Sequence, residues 1–250
     1  MQKNINLSVL GPIIVLATWW LITELKLVNP ILLPRLDDTL SRFFNLLISA
    51  KAMPDLCATV YRTILGFIIA SFFGTIAGLI IGKYAKIYKT FEAVIDFFRS
   101  LPATAMFPLF LLIFGIGNAS KIAIAIFISF WIVLLNSAYG VLYSSKIRTK
   151  VAKTLGATDW KIFRDITVME ALPQIFVGLR TAISLSLIVI VVSEMFIGSS
   201  SGIGQKIYDS YLTYETVDLY AWLLIVGLIG YILNRFFVIL EKKTLHWVGR

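Results

Sequence analysis

The feature that most limits what this chain can fold into is its series of apolar runs, each near the length of a bilayer crossing. Two of them read "ILGFIIASFFGTIAGLIIG", residues 64–82, and "IAIAIFISFWIVLLNSAYGVLY", residues 122–143. An α-helix needs about 20 apolar residues to cross the hydrocarbon, within a range of about 17–25. On that measure the sequence predicts six spans, at about 7–24, 61–82, 102–116, 122–143, 174–197 and 219–239. The third is short and opens on Leu101-Pro102, so a count of five spans plus a re-entrant segment is the alternative. The expected fold class is therefore an all-α polytopic membrane protein, with residues 1–250 forming a single transmembrane domain. The first apolar run, Leu7 to Ile22, resembles a signal peptide, but no small-x-small cleavage site follows it. Trp19, Trp20 and Glu24 fit the far interface of a retained helix.

Composition supports this reading. Hydrophobic residues make up 58% of the 250, against roughly 45–50% in a soluble domain. The formal charge is +9, and its placement decides what it means. Lys83, Lys86, Lys89 and Arg99 outnumber Glu92 and Asp96 in the loop 83–99. Lys146, Arg148, Lys150, Lys153, Lys161 and Arg164 outnumber Asp159, Asp165 and Glu170 in 144–173, and the tail carries Arg235, Lys242, Lys243 and Arg250. The alternate loops are balanced or acidic: Lys206 faces Asp209, Glu215 and Asp218 in 198–218, and 25–60 is mixed. Basic loops mark the cytoplasmic side, so both termini are expected there. Topology absorbs the surplus charge, and no nucleic-acid partner is expected. One cysteine, Cys57, excludes an intrachain disulfide. His246, the only histidine, reads as a surface residue of the basic tail.

Residues 33–50, "LPRLDDTLSRFFNLLISA", read as an extracytoplasmic amphipathic helix. Asp37, Asp38 or Thr39 can cap it, and Leu40, Phe43, Phe44 and Leu47 share a face. Gly66, Ala70, Gly74, Gly78 and Gly82 recur every four positions in the second span, a ridge of small residues that lets another helix approach closely. "GLIIGK", Gly78 to Lys83, has three residues between its glycines where a phosphate loop has four, and Tyr84 follows where Ser or Thr is needed. No catalytic constellation and no metal spacing appears, so the chain is not expected to be an enzyme or to hold a cofactor. Ionisable residues inside spans are costly and mark partners or pathways. Arg62 and Arg180, near helix starts, can snorkel. Glu194 lies deep, and Arg180 is fourteen positions away, too far along one helix to pair with it. Arg62, Asn136, Arg180, Ser186, Ser193 and Glu194 are the candidates for a translocation path or gate. Interhelical hydrogen bonding is the structural alternative for the serines and asparagine, and a buried hydrogen-bonding role for Glu194.

The segment 144–173 is too polar to cross. Gly156 divides it, as a turn or a point of close approach. Thr158 or Asp159 can cap a second helix, Trp160, Ile162 and Phe163 offer apolar contact, and Pro173 marks the entry to the next span. Such a piece can present a compact knob to a soluble partner; an interfacial helix gluing the loop to the bilayer is the other reading.

"AKTLGATDWKIFRDITVMEALPQIFVGLR", residues 152–180, resembles the EAA signature loop of ABC-importer permeases. Gly156 matches the signature glycine and Leu172-Pro173 its closing Leu-Pro. Lys150-Val151-Ala152 stands where Glu-Ala-Ala is expected, and Val168-Met169 where many members have an earlier Leu-Pro. "LLPRLDDTL" resembles the family's extracytoplasmic Leu-Pro segment, and "YRTILGFIIASFFGTIAGLIIG", "FFRSLPATAMFPLFLLIFGIGNASK" and "VVSEMFIGSSSGIGQKI" resemble the branch that serves nitrate, sulfonates, taurine and bicarbonate. Some members of that branch carry pyrimidine-type vitamin precursors. The resemblance implies a type I importer permease with a cytoplasmic coupling helix at Leu155, Gly156, Ala157, Thr158, Asp159 and Trp160, closed by Leu172 and Pro173. It also implies a homodimer, two copies of an ATPase that holds ATP and magnesium, and an extracytoplasmic solute-binding protein. An ion-coupled secondary transporter would instead show inverted repeats or half-helices, and a non-transporting scaffold would need no coupling loop.

Overall fold

A computed structural model describes residues 7–247, with side chains from Leu10 onward; Arg250 lies outside these residues. Among them are eleven α-helices: α1 (Leu7–Glu24), α2 (Leu36–Ile48), α3 (Met53–Lys83), α4 (Ala85–Ser100), α5 (Phe107–Phe114), α6 (Asn118–Leu142), α7 (Lys146–Thr154), α8 (Asp159–Ile162), α9 (Val168–Phe196), α10 (Ile203–Leu212) and α11 (Thr216–Thr244). A 3-10 turn precedes α5, and a π-helical turn, Phe163–Thr167, joins α8 to α9. The fold is all-α, as the apolar runs require.

Four helices are long and apolar enough to cross a bilayer: α3, α6, the continuous Asp159–Phe196 rod and α11. The third expected span differs from a straight crossing. It is a pair, Ala85–Ser100 and Ala103–Phe114, bent by 85°. Leu101 and Pro102 are both extended, with ψ of 127° and 118°. A proline lacks the N–H that would continue a helix and pushes its predecessor out of the helical region. The sixth apolar segment is α1, which is shorter and stands largely exposed. The fifth span starts earlier than expected, at Val168, so Pro173 lies inside α9 instead of at its entry.

The centre of the bundle is α6, with α3 on one side and α9 on the other. The small-residue ridge of α3 makes the first contact. A Cβ added to Gly66 would meet Ala125 Cβ at 2.8 Å, one on Gly74 the Phe130 carbonyl at 3.0 Å, and one on Gly82 the Ala138 carbonyl at 2.7 Å. Ala70 is fully buried in the same ridge. The α6–α9 contact uses the same device in reverse: Gly140 faces Ala171, and Gly178 faces Asn136 Cβ at 2.6 Å. With no water to expel inside a bilayer, van der Waals contact is the attraction, and absent side chains let the backbones close in.

Helix α2 packs on α11, where Arg42 makes a two-pronged ion pair with Asp218 at 2.7 Å. Its buried face is Leu36, Thr39 and Leu46, with Phe43 and Leu47 against the core. Phe44 points outward, 60% exposed, so it leaves the face expected for it. No side chain caps α2. Arg35 holds the cap position, Asp37 and Asp38 fall in the first turn, where they complement the helix dipole, and the Thr39 hydroxyl donates back to the Arg35 carbonyl.

Packing at the ridge is directly testable. Gly78→Leu puts a side chain where Ser137 Cβ already stands 2.6 Å from the Cβ position. Overpacking a fitted contact costs about 1–3 kcal/mol, so thermal unfolding in detergent is expected several degrees lower. Gly227→Leu, where nothing lies within 4 Å, is expected to melt like the parent.

Candidate functional site

One end of the bundle gathers the basic segments. Lys83 ends α3, the 144–167 segment follows α6, and Trp247 of the tail reaches the groove beside Ile147 and Leu155. Between α6 and the long α8–α9 rod hangs a helix–turn–helix knob. Ser145 caps α7 by accepting from the Arg148 N–H. The Ser145 N–H itself donates to Glu170 Oε2 at 2.6 Å, and Arg148 lies 3.0 Å from the same carboxylate. Those contacts fasten the start of α7 to the start of α9.

The turn at the tip has a specific chemistry. The Ala157 N–H donates to the Ala152 carbonyl and the Gly156 N–H to the Lys153 carbonyl, both at 3.0 Å. This six-to-one, five-to-two pair is the Schellman closure of a helix, with its left-handed residue at Gly156. Gly156 has φ of +80° and nothing within 4 Å of an added Cβ. The glycine is there for a turn; close approach within the chain plays no part. Thr158 caps α8 by accepting from the Lys161 N–H. Lys153 hydrogen-bonds Asp159 at 2.9 Å and holds its carboxyl below the usual range.

The tip is apolar and open to solvent. Leu155 is 82% exposed and Trp160 63%. Two further exposed residues extend the surface, Ile147 and Val151. They precede Leu155 at four-residue spacing, a stripe in "KIRTKVAKTL" that the sequence reading passed over. Beneath the tip, Ile162 is buried and Lys83 sits 4.6 Å from the Phe163 ring. The structure brings together Leu155, Gly156, Ala157, Thr158, Asp159 and Trp160. Leu172 and Pro173 are elsewhere, inside α9, with Leu172 against the Val141–Ala171–Ile175 cluster.

The six candidates for a path separate. Ser186 is buried and donates to the Thr63 carbonyl across the α3–α9 contact, and Ser193 donates within its own helix to Ile190. Asn136 donates to Ile132 and accepts from Gln174. Arg180, half-exposed, pairs with Glu241 at 3.2 Å beside a concavity of about 330 Å³ shared with Thr181, Ser184 and Asn234. Arg62 does not snorkel. It is 3% exposed, and its guanidinium pairs with the fully buried Glu194. Arg62 also donates to Asn118 Oδ1 and to the Ser201 carbonyl, both at 2.8 Å. Glu194 accepts in addition from the Thr59 hydroxyl at 2.8 Å and the Gly204 N–H at 3.0 Å. Asp55 holds the Gly202 N–H at 2.8 Å. Two carboxylates, Asp55 and Glu194, and the Arg62 guanidinium thus pin the 198–202 loop and the start of α10 onto α3 and α9, at the end opposite the knob. The pairing was hidden in the sequence because its members stand 132 positions apart.

The geometry defines a polytopic helical bundle with an exposed, apolar-tipped helical knob at its basic end. Comparison with known proteins carries this further. The family described as binding-protein-dependent transport system inner membrane component matches residues 70–246, and the chain belongs to it. It is 28% identical over 240 residues to a putative aliphatic sulfonates transport permease protein, SsuC, of Bacillus subtilis, covering 96% of this chain and 87% of that one. It is 24% identical to the taurine transport system permease protein TauC of Escherichia coli, over 100% of this chain and 92% of that one. A bicarbonate transport system permease protein, CmpB, of Synechococcus elongatus is 29% identical over 75% of this chain and 68% of its own. Among solved structures, an inward-facing MetNI methionine ABC transporter superposes with a TM-score of 0.65 at 21% identity, over 79% of this chain and 99% of that one. At that identity the likeness is one of fold.

Two outcomes test the local physics. Gly156→Ala strains a left-handed residue by about 1–2 kcal/mol, whereas Gly156→Asn is tolerated better. Hydrogen exchange at the amides of 155–158 is expected to quicken in the alanine variant more than in the asparagine one. At the other end, Arg62→Met or Glu194→Leu alone leaves a buried charge unpaired, at about 3–5 kcal/mol. The double variant is expected to melt well above the sum of the two losses, a coupling that two independent sites would not show.

Proposed function

We propose that this chain is the membrane-spanning subunit of an ATP-driven importer and forms the path for a small solute, an anion such as nitrate, a sulfonate or taurine, or bicarbonate. Two copies form the pathway, each receives one ATPase subunit at its knob, and a solute-binding protein delivers cargo at the opposite face. The basic end is the cytoplasmic one, following the charge asymmetry. In this reading ATP and magnesium reside in the partner ATPase, since the chain offers no phosphate loop.

The observation that carries the proposal is the knob. Ile147, Val151, Leu155 and Trp160 are exposed together on one short helix-turn-helix, and large apolar side chains left exposed in a group mark a docking face. The α8–α9 rod then supplies the mechanics. It is helical from Asp159 to Phe196, with a π-helical turn at Phe163–Thr167 and Pro173 within it, so the tip and the middle of the bundle belong to one helical element. ATP binding shifts the conformational equilibrium only through contacts that differ between the two states; a knob seated in a groove that closes with the ATPase pair provides such contacts. The relatives named for sulfonate, taurine and bicarbonate support an anionic cargo, and Arg180 beside its concavity is the side chain best placed to meet one.

The test is association with the ATPase. Burying a leucine side chain contributes about 1.5–3 kcal/mol, so Leu155→Asp is expected to weaken ATPase co-purification by about tenfold or more and to abolish solute-stimulated ATP hydrolysis in vesicles. The bundle itself is expected to melt normally, because Leu155 touches little of it. Full ATPase binding by this variant would remove the knob from the contact.

A further inference from the structure

We propose that the cavity beneath α7 is a binding site for the phosphate headgroup of an anionic phospholipid. The cavity, of about 680 Å³, lies where α3 and α6 end. Its cationic wall is Lys83 with Lys146, Lys150 and Lys153. The last three stand at i, i+4 and i+7 on one face of a nine-residue helix. Like charges so spaced repel one another and weaken the helix. The lining offers one carboxylate against them, Asp159, which is spent on Lys153 at 2.9 Å. Lys146 and Lys150 make no ion pair among the described residues. The charge pattern is therefore that of a site whose counter-ion comes from outside the chain.

The rest of the lining says which kind of anion. Val141, Leu142, Ile162 and Phe163 form an apolar wall on the bundle side. Tyr84, half exposed at 50%, adds an aromatic ring of the kind that favours the boundary between hydrocarbon and water. A phosphodiester presents one negative charge and two free oxygens to ammonium donors, and its attached acyl chains suit the apolar wall. A free phosphate would use the lysines and leave that wall idle. A volume of about 680 Å³ holds a headgroup and the first part of its chains. Basic pockets between transmembrane helices on the cytoplasmic side are where such headgroups bind. The site adjoins the exposed Leu155–Trp160 tip, sharing α7 and Asp159 with it, so an occupied cavity neutralises the repulsion along the helix that carries the docking face. This inference does not depend on the identity of the cargo.

The experiment uses the purified full-length protein in detergent, titrated with phosphatidylglycerol or phosphatidylcholine and read by native mass spectrometry. Each lysine near an anionic surface contributes about fivefold in affinity. Lys146→Gln/Lys150→Gln is expected to lose about 25-fold in phosphatidylglycerol retention while phosphatidylcholine binding stays unchanged. Lys86→Gln/Lys89→Gln, on the exposed face of α4 outside the cavity, is expected to change retention by less than twofold. Lys150→Glu provides a single charge reversal with the same expected direction, should the double variant fold poorly. Equal losses in the two lysine pairs would reduce the effect to general surface potential and overturn the site. Displacement of the lipid by millimolar inorganic phosphate at constant ionic strength would assign the lysines to a free anion and overturn the lipid. Unchanged lipid retention with lost ATPase co-purification would make the same lysines a protein contact, and would equally overturn it.

Discussion

The approach of α3 to α6 is the constraint on which the remaining geometry rests. Inside a bilayer the hydrophobic effect does not sort helices from lipid, so contact area and backbone distance decide which pairs hold. Gly66, Gly74, Gly78 and Gly82 let α3 lie against the carbonyls of α6. Gly140 and Gly178 repeat the arrangement between α6 and α9. Once three long helices are locked at that spacing, their ends are fixed as well. The end of α6 and the start of α9 fall close enough for Glu170 to take the Ser145 N–H, and the knob has no other place to hang. At the far end, Arg62 of α3 falls opposite Glu194 of α9.

That far end illustrates why burying charge is tolerated here. Glu194 is fully inside the protein, where an isolated carboxylate is not viable. It is held by a guanidinium, a hydroxyl and a backbone N–H at once. Such a network stabilises little against a well-packed apolar alternative, but it has geometry that an apolar patch lacks. It fixes a loop of small residues, Ser199 to Gly202, in one register against two helices. Gly202 is part of the fit: a side chain there would occupy the position of the Glu194 carboxylate. Lys121 completes the ring by donating to the carbonyls of Gly117 and Gly198, joining the start of α6 to the same loop.

Much of this was legible in the sequence, and what was not has physical reasons. The apolar runs, the small-residue ridge and the polar knob are local patterns, and local patterns survive without coordinates. The turn at Gly156 and the cap at Thr158 were readable as alternatives, and backbone angles chose between them. The π-helical turn before α9 was not readable, because nothing in "FRDIT" separates it from an ordinary turn; with it went the true start of the fifth span and the place of Pro173. Phe44 was misplaced because the buried face of α2 is set by where α11 lies, and that is a tertiary fact. The partner of Glu194 was unreachable for the same reason. Arg62 looked like a snorkelling residue near a helix start, but α3 begins nine residues earlier, at Met53, so position 62 is well inside a packed helix.

The two polar ends are joined by one element. The rod from Asp159 to Phe196 is 38 residues long, about 57 Å at the usual rise, and carries Trp160 near its start and Glu194 near its finish. Between them lie Arg180 and its concavity. A rigid helix transmits displacement only if its far end is either free or held by contacts that can be exchanged. Here that end is held by an ion pair and hydrogen bonds, which break and reform at discrete distances, where apolar packing would slide. Under the docking proposed for the knob, a displacement there meets either the small-residue contacts with α6 or the Arg62–Glu194 cluster. The first is a fitted backbone contact with no room to compress. The second is held by contacts that can be exchanged, and under the docking proposed for the knob it is the joint at which a two-state change is physically possible.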